Sequence, residues 1–335
     1  MPITTIEIAK ICNVSQGTVD RALNGRPGIS PATREKILKV LKEHNYTPHL
    51  IASSLSRGKS MTIGVVVFDL NNRYFSQMSN FINLIAHEHG YSTYLSVTEK
   101  NPETEIQILR NLASRRVDGL ILVPISKGKE YISSLKSINI PTVVVGNNLD
   151  GFPFVSINDY KAAYDGTRYI VEAGYRQIVF VCPPLRKKGE RGGKLNLYSQ
   201  ELRFRGFKHY ISTVMDENPK FKYEVLFQKD FIESAISMVR SGKKRIAFFC
   251  SADVYALKLL KTFREQGISV PGDAGIMGFD NLDILEYVSP RLTTVSASVD
   301  MVGHEAMNML FKLMNGETLE DNYYVPHTIC SGETI

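Results

Sequence analysis

The sequence predicts an all-α helix-turn-helix headpiece followed by an α/β core of two doubly wound, parallel-sheet subdomains. Three observations carry that expectation. Residues Thr5 to Leu23 (TIEIAKICNVSQGTVDRAL) read as two short helices around a tight turn, basic charge is concentrated in the first 60 residues, and from Met61 short apolar strands alternate with amphipathic helices.

Within the headpiece, Ile8, Ile11 and Cys12 form an apolar stripe on the first helix, and Val19, Ala22 and Leu23 repeat the i, i+3, i+4 spacing on the second. Asn13 sits at the turn, and Ser15 is a natural N-cap for the second helix. The exposed start of that helix is Gln16, Gly17 and Thr18, small or amide-bearing residues whose donors and acceptors match base edges in the major groove, with Arg21 behind them. Asp20 adds a carboxylate that either shifts base preference or orients Arg21. Ser30 caps a third helix that opens on Pro31, with Arg34, Ile37, Val40, Leu41 and His44 at helical spacing. Nine Lys and Arg against four Asp and Glu in residues 1–60 place five of the chain's six net positive charges here. Such a surface beside a helix-turn-helix is the footprint of a phosphate-binding module, so sequence-specific contact with DNA is the expected function.

The remaining residues suffice for a large second domain: the chain has 335 residues, 43% of them hydrophobic. Strands are expected at Thr62 to Phe68, Ser92 to Val97, Gly119 to Val123, Thr142 to Val145, Phe154 to Ile157, Ile178 to Val181, Tyr223 to Phe227, Arg245 to Cys250 and Ala274 to Gly278. Between them lie helices such as Phe75 to His89, with Met78, Phe81, Ile82 and Ile85 on one face, and Glu103 to Arg115. Strands without alternation argue for parallel sheets covered on both faces, and so many imply two sheets facing each other across a cleft. Ligands of such sheets bind outside the carboxyl ends of the strands.

Several classes are disfavoured. Cys12, Cys182, Cys250 and Cys330 are scattered without a CxxC pair, which suggests neither a disulfide framework nor a zinc cluster, and fits a reducing cytosol. No basic segment, apolar run and cleavage site open the chain, and no stretch approaches about 18 apolar residues, so a cytoplasmic location without a membrane span is expected. SRGKS at 56–60 ends like a phosphate-binding loop, but position 53 is Ser where Gly is required, and a strand follows instead of a helix. HEAMN at 304–308 lacks a second His, and His87 and His89 fall on different helix faces. With no GxSxG or GxGxxG motif either, the expectation is no enzyme, no catalytic residue, no metal and no cofactor.

Taken in order, IAKICNVSQGTVDRALN, YTPHLIASSLSRGKSMTIGVVV, VDGLILVP, VSINDYKAAYDGTRYIVEAGYRQIVFV, RFRGF, FFCSADVYAL, GISVPGDAGIMGFDN and SPRLTTV cover essentially the whole chain. Together they resemble the LacI/GalR family of bacterial transcription regulators. The resemblance implies a headpiece at 1–46, a hinge helix and linker at 47–60, and a periplasmic-binding-protein-like effector and dimerisation domain at 61–335. It divides the last into an N-subdomain (about 61–158 and 291–322) and a C-subdomain (about 159–290 and 323–335), with crossings near Asn158, Pro290 and Tyr323. Operator DNA is the implied partner, bound by a homodimer, with a tetramer left open.

The DNA-facing set implied is Thr5, Ser15, Gln16, Gly17, Thr18, Arg21, Asn24, Ser30 and Leu55. Leu55 stands where such repressors wedge a leucine into the minor groove, an unstacking that costs roughly a few kcal/mol per step. The hinge departs from the family's Asn and Ala-Arg-Ser-Leu pattern: it reads His49, Ala52, Ser53, Ser54, Leu55, and Ser53 removes a cation. The effector-facing set implied is Asp69, Asn71, Tyr74, Phe75, Asn147, Asn158, Arg203, Asp253 and Asp280. Ala252 replaces the Asn of the usual Asn-Asp pair and leaves ligand identity open. A sugar is the most economical effector, since amides, carboxylates and one Arg satisfy hydroxyls while rings cover an apolar sugar face. A sugar phosphate, drawn by the basic loop Leu185 to Lys194, and a nucleobase remain alternatives, as does a sugar-binding protein with no regulatory DNA contact.

Overall fold

A computed structural model describes residues 3–44, 46, 58–185, 195–227, 231–242, 245–319 and 322–335. The chain divides into two compact units, Met1–Ser60 and Met61–Ile335.

Among the described residues, the first unit holds a cluster of three helices: α1 (Thr5–Cys12), α2 (Gln16–Leu23) and α3 (Pro31–Glu43). Thr4 and Glu7 form a reciprocal capping box on α1, and Asn13 closes that helix in the left-handed region at φ 53°. Ser15 and Ser30 cap α2 and α3 by accepting from the amides of Thr18 and Thr33. Ile8, Ala9, Cys12, Val19, Ala22, Ile37 and Leu41 form the core. Ile11, expected on the buried stripe, is 49% exposed, and Ala9 takes its place inward. The i, i+1 ambiguity of an eight-residue helix explains the slip, because two turns define a face poorly.

The second unit contains two six-stranded sheets. The first has the order β11-β5-β4-β3-β1-β2, all parallel, from β1 (Thr62–Val67), β2 (Ser92–Val97), β3 (Gly119–Leu122), β4 (Thr142–Val145), β5 (Phe154–Ile157) and β11 (Asn322–Val325). The second has the order β12-β10-β9-β8-β6-β7, from β6 (Gln177–Cys182), β7 (Lys222–Phe227), β8 (Ile246–Cys250), β9 (Ala274–Asp280), β10 (Thr293–Ser296) and β12 (Thr328–Cys330). Only the short β12 runs antiparallel to its neighbour. The intervening helices are α4 (Arg73–Glu88), α5 (Pro102–Ser114), α6 (Lys129–Ser137), α7 (Asp159–Glu172), α8 (Tyr198–Glu217), α9 (Phe231–Ser241), α10 (Asp253–Glu265) and α11 (Val299–Met314).

Strand membership moves two of the three crossings. The first is near Asn158, as expected, but β10 belongs to the second sheet, so the next crossing follows Ser296 and not Pro290. Likewise β11 lies in the first sheet, which puts the last crossing after Val325.

Close packing of α7 on α8 positions the cleft. Gly206 makes it possible: a Cβ there would lie 2.0 Å from the carbonyl oxygen of Tyr160. Beneath the pair, Phe180 and Phe207 stack at 4.7 Å and Phe249 meets Phe180 edge-on at 5.6 Å. Each such fully buried ring contributes about 1.5–3 kcal/mol.

Candidate functional site

The exposed face of α2 is the candidate nucleic-acid interface. Gln16, Gly17 and Arg21 are exposed and Thr18 is half-buried. Gln16 Nε2 donates to Thr5 Oγ1 at 3.1 Å, which joins the starts of α1 and α2. Asp20 does not engage Arg21. Its carboxylate accepts from Arg26 Nη1 at 3.1 Å and Asn24 Nδ2 at 2.8 Å, and Arg34 Nη2 donates to the Arg26 carbonyl at 2.6 Å. Asp20 and Asn24 therefore fasten the turn after α2, and Arg21 stays outward. Ser15 and Ser30 serve as helix caps, each with its hydroxyl within 2.9 Å of the threonine hydroxyl three residues on. Leu55 and the basic loop at 186–194 lie outside the described residues.

In the core unit, the carboxyl ends of both sheets converge on Arg203. Its Nε donates to Asp159 Oδ1 at 2.7 Å, and its Nη1 donates to the Ser251 carbonyl at 2.6 Å and to Asp280 Oδ1 at 3.3 Å. The guanidinium lies over the Phe279 ring, 3.7 Å from its centroid. All four polar residues, Arg203, Asp159, Asp280 and Ser251, are buried. Burial pushes the Asp159 and Asp280 carboxyls upward, opposed in each case by the adjacent guanidinium. Asp280 sits at φ 115°, a backbone conformation that a non-glycine residue holds only under constraint.

Tyr74, at the start of α4, brings the first sheet's side to this cluster. Burial raises its hydroxyl pKa, and the charge of Asp280 adds to the shift. Asp253 is placed by Gly278, where a Cβ would fall 2.0 Å from Asp253 Oδ1. Its two oxygens accept from Thr294 Oγ1 at 2.6 Å and from the Leu282 amide at 2.9 Å. Burial and the neighbouring Asp280 both raise its pKa. Asp253 is thus used in fastening strand ends, and it acts on the cleft through Asp280.

Other expected residues have structural engagements. Phe75 is buried against Phe68, ring centroids 4.3 Å apart, within the core. Asp69 accepts from the Asn71 amide at 2.8 Å and Lys100 Nζ at 3.2 Å; burial opposes ionisation there, but these donors hold the carboxyl below its ordinary range. Asn158 caps α7 by accepting from the Lys161 amide at 3.0 Å. Asn147 is a strap. Its Nδ2 donates to the carbonyls of Pro124 at 3.1 Å and Asn196 at 3.3 Å, and its Oδ1 accepts from Ser199.

Asp159, Ser251 and Asn196 are among the participants outside the expected set. Asp159 reads in sequence as a first-turn acid of a helix, which its neighbour Asn158 caps, so only the fold reveals its pairing with Arg203. Asn196 receives its role from the Ile125 carbonyl, which accepts from its amide at 2.6 Å, and from the Asn148 carbonyl at 3.0 Å. Glu105 in turn holds that loop: its buried carboxylate accepts from the amides of Ile125 at 2.9 Å and Ser126 at 3.1 Å. Across the cleft, Arg73 at the start of α4 pairs through two N–H groups with Asp283, just after β9.

Residues 4–49 match bacterial regulatory proteins of the lacI family, and residues 167–335 match the periplasmic binding protein-like domain. Catabolite control protein A of Staphylococcus xylosus is 30% identical over 335 residues, covering 98% of both chains. Catabolite control protein A of Priestia megaterium is 29% identical over 332 residues, again covering 98% of both. In fold, the chain is similar to the lac repressor dimer bound to operator and the anti-inducer ONPF, with a TM-score of 0.84, 23% identity and coverage of 100% of this chain and 99% of that one.

Proposed function

The chain belongs to the LacI family of bacterial regulatory proteins and is a DNA-binding transcriptional regulator; from that premise we propose that it is a cytoplasmic, homodimeric repressor whose operator affinity is set by a sugar bound at Arg203. The observation that carries the effector reading is the Arg203 cluster itself. A guanidinium, two carboxylates and the Tyr74 ring from separate strand ends meet where open parallel sheets take ligands. Acceptors and one cation at this spacing orient hydroxyls, and Tyr74 offers aromatic surface to an apolar sugar face.

The proposed mechanism couples that cleft to the headpiece through closure. A ligand changes operator affinity only by its differential affinity for the two closure states, and a useful response of about 5- to 150-fold needs about 1–3 kcal/mol of coupling. Two recognition helices related by a two-fold axis should read a pseudo-palindromic site.

Footprinting of the purified protein on its own upstream DNA tests the first half. A discrete protected palindrome is expected, and absence of any discrete site would defeat the repressor reading. Titration of that footprint with sugars tests the second half, with a shift that Arg203→Ala abolishes as the expected result.

A further inference from the structure

Asp20 stands in the middle of the surface that α2 turns outward. Gln16, Asp20 and Asn24 follow one another at i, i+4 beside the exposed Gly17 and Arg21, while Val19 and Ala22 are buried behind them. A carboxylate at that place faces a polyanion, and on its own it would weaken binding to every duplex alike. The turn after α2 supplies its counter-charge.

Arg26 is fixed in that turn by its backbone. Its amide donates to the Arg21 carbonyl at 2.9 Å, and its carbonyl accepts from Arg34 Nη2 at 2.6 Å. Gly25 before it and Gly28 after it hold φ values of 65° and 94°, which a side chain would resist. Only the Arg26 side chain is left to place, and it returns six residues to Asp20, where Nη1 donates to Oδ2 at 3.1 Å. Asn24 Nδ2 holds the other carboxylate oxygen at 2.8 Å.

Both oxygens of Asp20 are thereby engaged, whereas the guanidinium is not used up. Among the described residues Asp20 is the acceptor that it meets, through Nη1, so the edge formed by Nε and Nη2 stays open. Two adjacent N–H groups on one edge are the fork that grips a phosphate. The Arg26 side chain is 45% exposed, which leaves that fork accessible.

Position decides between phosphate and base. The amino end of a recognition helix contacts base edges. At about 1.5 Å per residue, Asn24 lies about 12 Å beyond Gln16 along the axis, about the width of the major groove, so the turn that follows stands at the level of a strand's backbone. Arg21 and Arg34 flank the same turn, within 3.9 Å of a Cβ placed on Gly28 and 3.8 Å of one placed on Gly25. Three guanidinium groups against one carboxylate make it cationic.

We infer that Arg26 grips a backbone phosphate of the operator through its Nε–Nη2 edge, and that Asp20 is the positioning residue that aims it and not a reader of bases. This rests on α2 as the recognition helix. Arg26 lies outside the DNA-facing set that the sequence implies, because helix periodicity ends before the turn that carries it.

The test is a mobility-shift titration of the full-length protein between about 50 and 200 mM salt. The probes are a duplex that the parent protein selects from a pool with a random centre, and a scrambled duplex of the same length. Arg26→Gln should weaken both about tenfold and reduce the slope of log affinity against log salt by about 0.9 per bound chain, one phosphate's share. Arg26→Lys should restore the slope, since it keeps the charge without the fork. Asp20→Asn should weaken the selected duplex about threefold in the parent and strengthen it in Arg26→Gln, where an unneutralised carboxylate faces the phosphates. Selection repeated with Asp20→Asn should return the parent's base preferences. A preference lost at one base pair would make Asp20 a reader, and an unchanged slope in Arg26→Gln would mean that no phosphate is held there; either result overturns the inference and leaves α2 as the recognition helix. A lowered slope that Arg26→Lys fails to restore would trace to the shape of the turn and overturns it too. If Gln16→Ala also selects the parent's sequence, α2 is not the recognition helix and that reading itself falls.

Discussion

Removal of the Arg203 guanidinium would leave Asp159 and Asp280 buried, facing each other without a cation. Breaking such a pair costs about 3–5 kcal/mol, much more than exposed pairs such as Lys39 with Glu43. Urea unfolding of the core should therefore show that loss for Arg203→Ala; a loss under about 1 kcal/mol would mean that water screens the cluster. The same residues set a pH dependence. Burial raises the Asp253 and Asp280 pKa values above those of the unfolded chain, helped at Asp253 by the charge of Asp280 and at Asp280 by that of Asp159 against the Arg203 guanidinium, so the folded state binds more protons than the unfolded one between the two ranges. Stability from this source is fully present below the unfolded pKa, near about 4, and is lost as pH rises through the folded values. Melting temperature should fall from pH 5 to neutrality, and Asp280→Asn should flatten that fall. An identical slope in the variant would remove these groups as its cause.

At the scale of elements, much was legible from local chemistry and some was not. Ser15, Ser30 and Pro31 announced α2 and α3, because caps act within four residues of the positions that reveal them. Ser15→Ala should accordingly destabilise the headpiece by about 1 kcal/mol in thermal unfolding, since it releases the Thr18 amide. The strands of both sheets read as apolar runs for the same local reason, although β10, β11 and β12 carry no such signal. They are three or four residues long, and β11 carries Tyr323 and Tyr324 outward, so no periodic signal develops. Arg203, Asp280 and Tyr74 could be anticipated from motif resemblance. The strap role of Asn147 could not, because its partners lie 23 and 49 residues away along the chain. Pairings at that separation exist only once the sheets have formed. The partner of Asp20 was not legible for a related reason: Arg26, six residues on, is brought to it by the turn after α2, a geometry that helix periodicity does not describe, so of the two expected roles the orienting of Arg21 is the one the structure does not bear out. Arg21 is left outward by that arrangement, and Arg21→Ala should weaken operator binding by about 1–3 kcal/mol in a mobility-shift titration, with relaxed preference at one base pair if it reads a base edge.

For the molecule as a whole, the proposed response to an effector depends on what joins the two core sheets across the cleft. Two sets of contacts join elements of the first sheet to elements of the second. One is the strap, in which Asn147 and Asn196 tie the start of α8 to the loop that Glu105 braces. The other is the clasp of Arg73 with Asp283, whose side chains are each nearly half exposed. Their energies should differ. The strap consists of buried amide hydrogen bonds, each contributing about 0.5–1.5 kcal/mol, whereas an exposed ion pair contributes about 0–1 kcal/mol and weakens with salt. Since a ligand for the closed state binds with an apparent affinity reduced by the fraction of molecules already closed, each device sets that fraction. Asp283→Ala should thus lower effector affinity modestly, with the deficit vanishing at high salt, where the parent loses the same contact. Asn147→Ala should lower it further and without salt dependence. Isothermal calorimetry at low and high ionic strength distinguishes the two. Equal affinities in parent and both variants would show that neither contact belongs to the closure equilibrium, and that α4 and the segment after β9 meet in every state of the cleft.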